Sequence, residues 1–178
     1  MTYGISLDIG TSGTRAHAVD LTDGRIISTA MTSCHPMPGA NIMDHLTFCI
    51  NVGNELAHNI LMDTVNKVIA NLHIDLKQVE RVAICGNPIQ LSLFQGIPVD
   101  DLAFAGENAQ RVRNIKQQKR DAGVFNAAAV GMNVPDSTEL LVPPAIRHEI
   151  GADALAMMYK SGFLEQKENA LVTDYGTN

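Results

Sequence analysis

Apolar and polar residues alternate along three short stretches at the start of the chain, over 4–9, 15–21 and 25–31. Alternation with a period of two is typical of strands that bury one face. Asp23-Gly24 separates the second stretch from the third, and this dipeptide favours a tight hairpin turn. The pattern therefore predicts three antiparallel strands at the start of the chain.

A helical spacing of apolar residues follows, after a loop over 32–42. The recurring positions are Leu46, Ile50, Ala57, Leu61, Val65, Val68 and Leu72. They predict one long amphipathic helix that begins at Asp44 as N-cap and is weakened in its middle by Gly53.

Shorter elements alternate through the rest of the chain. The pattern predicts strands over 79–85, over 140–142 and from 170 onward, and helices over 89–94, 107–119 and 151–161. Residues 122–132 show no clear period. The element order indicates an α/β fold of the ribonuclease-H-like kind, in which a mixed sheet begins with three antiparallel strands and is covered by helices.

Composition narrows the range of functions. A net charge of −6 without an extended basic patch argues against nucleic acid as the main partner. The chain has no apolar run long enough to cross a bilayer and no secretory signal, so we expect no membrane association. Three cysteines without a close pair favour a reducing, cytoplasmic setting and speak against an iron–sulfur cluster within these residues.

The candidate chemistry is concentrated between the first two predicted strands. Gly10 and Gly13 let the backbone approach a phosphate group closely, and hydroxyl side chains between and beside them add donors. Asp8, at the end of the first strand, is suited to hold Mg²⁺ through water. The predicted phosphate-binding residues are Gly10, Thr11, Ser12, Gly13, Thr14 and Arg15. Taken alone, this segment is equally compatible with an ordinary hairpin loop, since short Gly-rich turns are weakly specific.

A second copy of the pattern favours a phosphate-binding turn over an ordinary hairpin loop. Asp174-Tyr175-Gly176-Thr177 repeats Asp8-Ile9-Gly10-Thr11, again after a predicted strand. Two such turns suit two lobes that hold one nucleotide between them, although coincidence stays open. On this basis Asp8 and Asp174 are the predicted catalytic carboxylates, and Gly176 and Thr177 join the predicted nucleotide-binding residues.

Paired Asp-x-Gly-Thr turns resemble the superfamily of actin, sugar kinases and DnaK-type chaperones. Segments 35–45 and 86–94 narrow the resemblance to the ATP-dependent reductive activators of corrinoid proteins, including those that serve methylamine methyltransferases in methanogenesis, whereas segment 149–153 joins the last turn in supporting the superfamily. The resemblance covers the N-terminal part of such activators. It implies an actin-type ATPase lobe over 1–168, with 98–134 as a less regular insertion, and the start of a second lobe over 169–178.

The resemblance also implies a function. Such proteins use ATP and Mg²⁺ to drive reduction of the cob(II)alamin of a corrinoid methyltransferase protein to cob(I)alamin. We expect the adenosine site and the iron–sulfur cluster in a part of the parent protein that this sequence does not contain, and we expect the fragment to be inactive alone. Homodimer formation stays open. The alternatives are a small-molecule kinase of the same superfamily and a non-catalytic docking module for a corrinoid protein.

Several further residues have both a functional and a structural interpretation. Asn87 follows a predicted strand and is a candidate for the nucleotide cleft, as is Asp153. Cys85 ends the same strand, but a buried structural thiol is favoured. For Asp44 and His45 a helix cap and a solvated ring are favoured over a ligand contact. The run Lys116–Arg120 is expected to be a solvated helix face, with docking of an acidic partner as the alternative.

Overall fold

The computed structural model describes residues 2–145 and 151–173. Within these ranges the strands are β1 (Tyr3–Gly10), β2 (Gly13–Asp20), β3 (Ile26–Met31), β4 (Val79–Gly86), β5 (Gly123–Asn126) and β6 (Glu139–Val142). The helices are α1 (Ile42–Val52), α2 (Asn54–Ala70), α3 (Pro88–Phe94), α4 (Asp100–Ala103), α5 (Glu107–Arg113) and α6 (Ala152–Lys160). Short 3₁₀ turns lie at Leu76–Gln78, Ala128–Val130 and Phe163–Glu165.

The first three strands form the antiparallel meander that the alternating pattern predicts. β1 pairs with β2 along its whole length, from Tyr3 opposite Asp20 to Gly10 opposite Gly13. β3 pairs with β2 on the other side. The connection between them closes where Gly24 donates its N–H to the Asp20 carbonyl at 2.8 Å. The Asp23-Gly24 turn signal therefore marks a true strand reversal.

The six strands form one sheet in the order β3-β2-β1-β4-β6-β5. β1, β4 and β6 run parallel, whereas β2, β3 and β5 pair antiparallel to their neighbours. A central first strand with a meander on one side and parallel strands on the other is the ribonuclease-H-like arrangement. The predicted fold class is confirmed, and β5 adds one antiparallel strand at the far edge.

The core lies on one face of this sheet. Ile5, Leu7 and Ile9 of β1 are buried, whereas the alternate residues Ser6 and Asp8 are exposed on the opposite face. Helix α2 packs on β2 and β3, and α3 packs on β1 and β4. Because successive side chains of a strand point to opposite faces, this register places Asp8 outside the core, at the end of β1.

The predicted long helix is wrong in one respect, because it is two helices. The chain breaks at Gly53, whose φ of +91° lies in a region that an α-helix does not use. The N-cap of α1 is Asn41 rather than Asp44: the Asn41 side chain accepts from the N–H groups of Met43 and Asp44. Within α1 the buried residues are His45, Leu46 and Cys49, and the predicted core residue Ile50 is exposed.

The predicted helix over 107–119 is likewise shorter than expected. It ends at Arg113, because Asn114 takes a left-handed conformation with a φ of +55°. Arg120 is not on a solvated helix face. Its side chain is only 9% exposed, and its two terminal nitrogens donate to the two carboxylate oxygens of Asp101 at 2.8 Å each. Its Nε donates to the hydroxyl of Ser92 at 2.7 Å.

This ion pair fastens the irregular segment 114–122 to α3 and α4. Burial disfavours the charged form of Asp101, but the hydrogen bonds from Arg120 and from the Gln118 N–H outweigh burial and lower the pKa of Asp101. A buried guanidinium needs several acceptors, and Arg120 also donates to the backbone carbonyls of Pro98 and Gln118.

The C-terminal part departs from the sequence expectation. Helix α6 falls within the predicted 151–161. Residues 170–173 form no strand, since none of the described residues offers them a hydrogen-bonding neighbour. Asp174, Gly176 and Thr177, which carry the predicted second turn, lie outside the described residues.

Candidate functional site

The predicted phosphate turn is the hairpin between β1 and β2. Gly10 pairs directly with Gly13, which leaves Thr11 and Ser12 as a two-residue turn. Ser12 is exposed and Thr11 is half-buried. Gly13 has a φ of +153°, which L side chains rarely adopt. The turn therefore presents backbone and a hydroxyl group at the end of the central strands.

Thr14 differs from the expectation. Its side chain is 1% exposed, so its hydroxyl lies inside the protein rather than on the open side of the turn. Its backbone N–H is also occupied, because it donates to the hydroxyl oxygen of Thr32 at 2.9 Å. Thr14 therefore has a structural role beneath the turn, with its side chain buried and its N–H bonded to Thr32.

Asp8 lies one strand away from Cys85. The register of β1 and β4 places the two residues opposite each other, and the Cys85 thiol donates to Asp8 Oδ1 at 3.7 Å. Burial and the neighbouring Asp8 charge raise the pKa of Cys85 to about 12. The thiol is therefore protonated at neutral pH and acts as a weak donor to the carboxylate.

Charges of both signs surround Asp8. Neighbouring atoms partly desolvate the Asp8 carboxylate and so raise its pKa, although the residue is exposed overall, and the nearby charge of Asp153 adds to this. The Cys85 hydrogen bond and the charge of Arg15, which pairs with Asp8 across the hairpin, act in the opposite direction. The net effect is a raised pKa. A carboxylate held in this way gains from a cation placed beside it.

Helix α6 brings Asp153 to the same end of the sheet. The helix begins against the turn after β4: a Cβ atom on Gly151 would lie 2.7 Å from the Gly86 carbonyl oxygen and 2.8 Å from Asn87 Cα. Only glycine fits this approach. The charge of Asp153 raises the pKa of both Asp8 and Cys85, so Asp153 lies near these two residues. The sequence named Asp153 only as a minor candidate, because a lone Asp in a helix carries no motif.

Asn87 has a local structural task. Its side-chain oxygen caps α3 by accepting from the N–H groups of Ile89 and Gln90 at 3.1 and 3.0 Å. Asn87 does lie at the cleft end of β4, but its oxygen is already engaged. Its predicted role in nucleotide binding therefore rests on the remaining amide group alone.

His45 is also placed differently from the expectation of a solvated ring. It is fully buried and stacks on His35, with ring centroids 4.0 Å apart. Gln90 links the pair by donating to His45 Nδ1 at 2.9 Å, while its oxygen accepts from His35 Nε2 at 3.0 Å. The histidine pair thereby fixes the loop 32–41, which runs beside the hairpin turn, to α1 and α3.

Some predicted features are not brought together in the described ranges. No group of three His, Cys, Asp or Glu residues there is arranged to hold a metal ion. A magnesium ion at Asp8 would therefore need phosphate oxygens and water as its other ligands, which is how Mg²⁺ is commonly bound. In the same ranges, no helix is both long and apolar enough to cross a bilayer.

Comparison with solved structures supports the fold. The chain superimposes on a reductive activator for a corrinoid, iron–sulfur protein with a TM-score of 0.78, over 94% of this chain and 26% of that one. The two sequences are 18% identical, so this likeness concerns the fold alone.

Comparison with curated proteins gives sequence relatives. The chain is 52% identical over 177 residues to the [Co(II) methylated amine-specific corrinoid protein] reductase of Methanosarcina barkeri, and 23% identical to the corrinoid activation enzyme RamQ of Eubacterium limosum. It spans 33% and 29% of the lengths of these two proteins. The resemblance found in the sequence is thereby confirmed.

Residues 3–166 match the family described as the RACo middle region. The match includes the hairpin turn, residues 98–134 and all of α6. It leaves out only the two ends of the chain. The chain therefore belongs to the RACo middle region family.

Proposed function

We propose that this chain is the first nucleotide-binding lobe of an ATP-dependent activator that drives reduction of the cob(II)alamin of a corrinoid methyltransferase protein to cob(I)alamin. The observation that carries the proposal is the meeting of the Gly10–Gly13 turn, Asp8 and Asp153 at one end of the sheet. They meet in a chain that shares 52% identity with a corrinoid protein reductase. Methylamine-dependent methyltransfer is the corresponding process.

The turn and the two carboxylates have separate tasks in this proposal. The backbone around Gly10 and Gly13 and the Ser12 hydroxyl bind phosphate, and exposed Arg15 adds positive charge. Asp8 holds the water shell of Mg²⁺, which offsets phosphate charge when bound. Asp153 accepts a hydrogen bond from the water molecule that attacks the terminal phosphate. Asp153 lies near enough to Asp8 for its charge to raise the Asp8 pKa, which supports that task.

The proposal assigns the other half of the clamp to the end of the sequence. Residues 1–168 form the first lobe, with 98–134 as an insertion between α3 and β6, and 169–178 begin the second. In that lobe Asp174, Gly176 and Thr177 repeat the roles of Asp8, Gly10 and Thr11. The iron–sulfur cluster that delivers the electron belongs to another part of the parent protein. We place the protein in the cytoplasm, as its unpaired cysteines favour.

Calorimetry with Mg·ATP on the full-length protein tests the nucleotide part. Asp8→Asn should weaken Mg·ATP binding about tenfold or more, because one charge-assisted contact is lost. Asp23→Asn is the matched control, since Asp23 lies in the exposed β2–β3 turn and its carboxylate, among the described residues, pairs with Arg25 alone. A wild-type protein without affinity for Mg·ATP would overturn the proposal. Equal binding by Asp8→Asn would remove Asp8 from the site.

The corrinoid part is tested by absorption spectroscopy of the partner protein. With a one-electron donor present, conversion of cob(II)alamin to cob(I)alamin should depend on ATP and on the wild-type activator. ATP turnover that requires a sugar or a carboxylic acid instead would favour a small-molecule kinase. Corrinoid protein binding without any effect of ATP would favour a docking module.

A further inference from the structure

Thr32 stands next to the phosphate turn without belonging to the turn motif. The β2–β3 ladder ends with Arg15 opposite Met31, and Thr14 and Thr32 follow as the next pair. They exchange two hydrogen bonds. The Thr32 N–H donates to the Thr14 carbonyl at 2.9 Å, and the Thr14 N–H donates to the Thr32 hydroxyl at 2.9 Å. In a longer ladder the Thr14 N–H would donate to a backbone carbonyl. Here the Thr32 hydroxyl takes the place of that carbonyl.

The Thr32 hydroxyl also occupies the space where residue 13 would carry a side chain. A Cβ atom at position 13 would lie 2.6 Å from Thr32 Oγ1 and 3.5 Å from the Thr32 carbonyl oxygen. Non-hydrogen atoms do not approach a real Cβ to 2.6 Å. Gly13 and Thr32 are therefore a complementary pair, which sets the path of the turn at the residue where it enters β2.

The far side of Thr32 is fixed as well. Three residues further on, His35 is buried and bonded to Gln90, and Met37 donates its N–H to His35 Nδ1 at 3.1 Å. The segment 32–37 is thus anchored at the hairpin and in the core. Thr32 is therefore held on both sides, and its hydroxyl in turn holds the Thr14 N–H at the end of the turn.

We propose that Thr32 is a positioning residue for the phosphates of the bound nucleotide, which it places by fixing Gly13 and Thr14. This inference rests on the proposed function. Phosphate binding depends on several backbone N–H groups that converge on one point. A small displacement of these N–H groups therefore weakens phosphate binding. In this proposal Thr32 makes no contact with the nucleotide. Replacing Thr32 should therefore weaken the binding of phosphate by the turn and not the binding of the adenosine part.

Two substitutions in the full-length protein test the role. Thr32→Val keeps the shape of the side chain and removes the acceptor, whereas Thr32→Ser keeps the hydroxyl. Thr47→Val is the matched control, since the exposed Thr47 hydroxyl donates only to the Met43 carbonyl within α1. Calorimetry measures the affinities for Mg·ATP and for adenosine, and hydrogen exchange measures the protection of the Thr14 amide without nucleotide.

We expect Thr32→Val to weaken Mg·ATP binding about tenfold and to leave adenosine binding unchanged, in line with the loss of one partly buried hydrogen bond. The Thr14 amide should exchange about tenfold faster in this variant. Thr32→Ser should restore both values to within about threefold, because only the methyl group is missing. A general loss of structure would weaken adenosine binding equally, and that result would overturn the positioning role.

The remaining outcomes are also decisive. If Thr32→Val binds Mg·ATP as tightly as the wild type while the Thr14 amide exchanges faster, the bond exists but does not position the phosphates. If the Thr14 amide is unaffected, the bond itself is refuted. If the wild type binds no Mg·ATP, the proposed function fails, and the exchange at Thr14 still reports separately on the Thr32 bond.

Discussion

The stacked pair His35 and His45 predicts how stability depends on pH. Hydrogen bonding fixes one proton on each ring: His35 Nδ1 accepts from the Met37 N–H, so His35 Nε2 carries a proton and donates to Gln90. Gln90 in turn donates to His45 Nδ1. A second proton on either ring would break a bond and place a charge in the core. Both rings are therefore held neutral.

The size of the effect follows from His35. Burial, together with the neighbouring His45, lowers the pKa of His35 from 6.5 to about 4. Between these values the unfolded chain binds a proton that the folded protein does not, so folding stability falls as the pH falls. Lowering the pH from about 7.5 to about 4.5 should reduce the free energy of unfolding by about 2.5 kcal/mol through His35 alone. Burial also lowers the pKa of His45, which acts in the same direction.

Urea unfolding at a series of pH values measures this dependence. His35→Asn removes the titrating ring and should flatten the stability profile between about pH 6.5 and about pH 4. His73→Asn is the control, because exposed His73 has a left-handed backbone, with a φ of +52°, that asparagine tolerates. The wild type and His73→Asn should keep the same slope. A His35→Asn variant with the full wild-type slope would refute the neutral buried pair.

Two further predictions concern buried and exposed side chains. Asp101→Asn should lower the free energy of unfolding in urea by about 3 to 5 kcal/mol, because Arg120 is left buried without its partner. Arg81→Gln, which breaks an exposed pair with Glu139, should cost less than about 1 kcal/mol. In mass spectrometry after brief alkylation, exposed Cys34 should be modified first, whereas Cys85 should react only on unfolding because its pKa is raised to about 12. Early modification of Cys85 would contradict its place beside Asp8.

The local pattern of the chain determined the first part of the fold. The alternation at the start of the chain and the Asp23-Gly24 turn specify the three-stranded meander, since both are signals between residues close in sequence. The position of Gly10 and Gly13 in a hairpin turn follows from the same pattern. The element order and the family resemblance were sufficient for the fold class, and the structure confirms it.

Tertiary contacts decided what the local pattern could not. The charged run ending at Arg120 is typical of a solvated helix, but Asp101 and Ser92 provide buried acceptors from other segments. The burial of His45 likewise depends on Gln90, 45 residues away. The energy of such contacts depends on which groups the folded chain brings together. The spacing of apolar residues along the sequence does not show which groups these are.

The residues of the candidate site also fall into two groups, those that the local sequence predicts and those that only tertiary contacts add. Asp8 and the glycines of the turn form one continuous segment, so a sequence motif is enough to propose them as site residues. Thr32 and Asp153 join that segment through the β2–β3 ladder and the approach of α6 to the turn after β4. A single Thr after a strand, or a single Asp in a helix, carries no signal of its own. Their contribution exists only where the folded chain places them beside the turn, because hydrogen bonds and charge interactions act over a few ångströms.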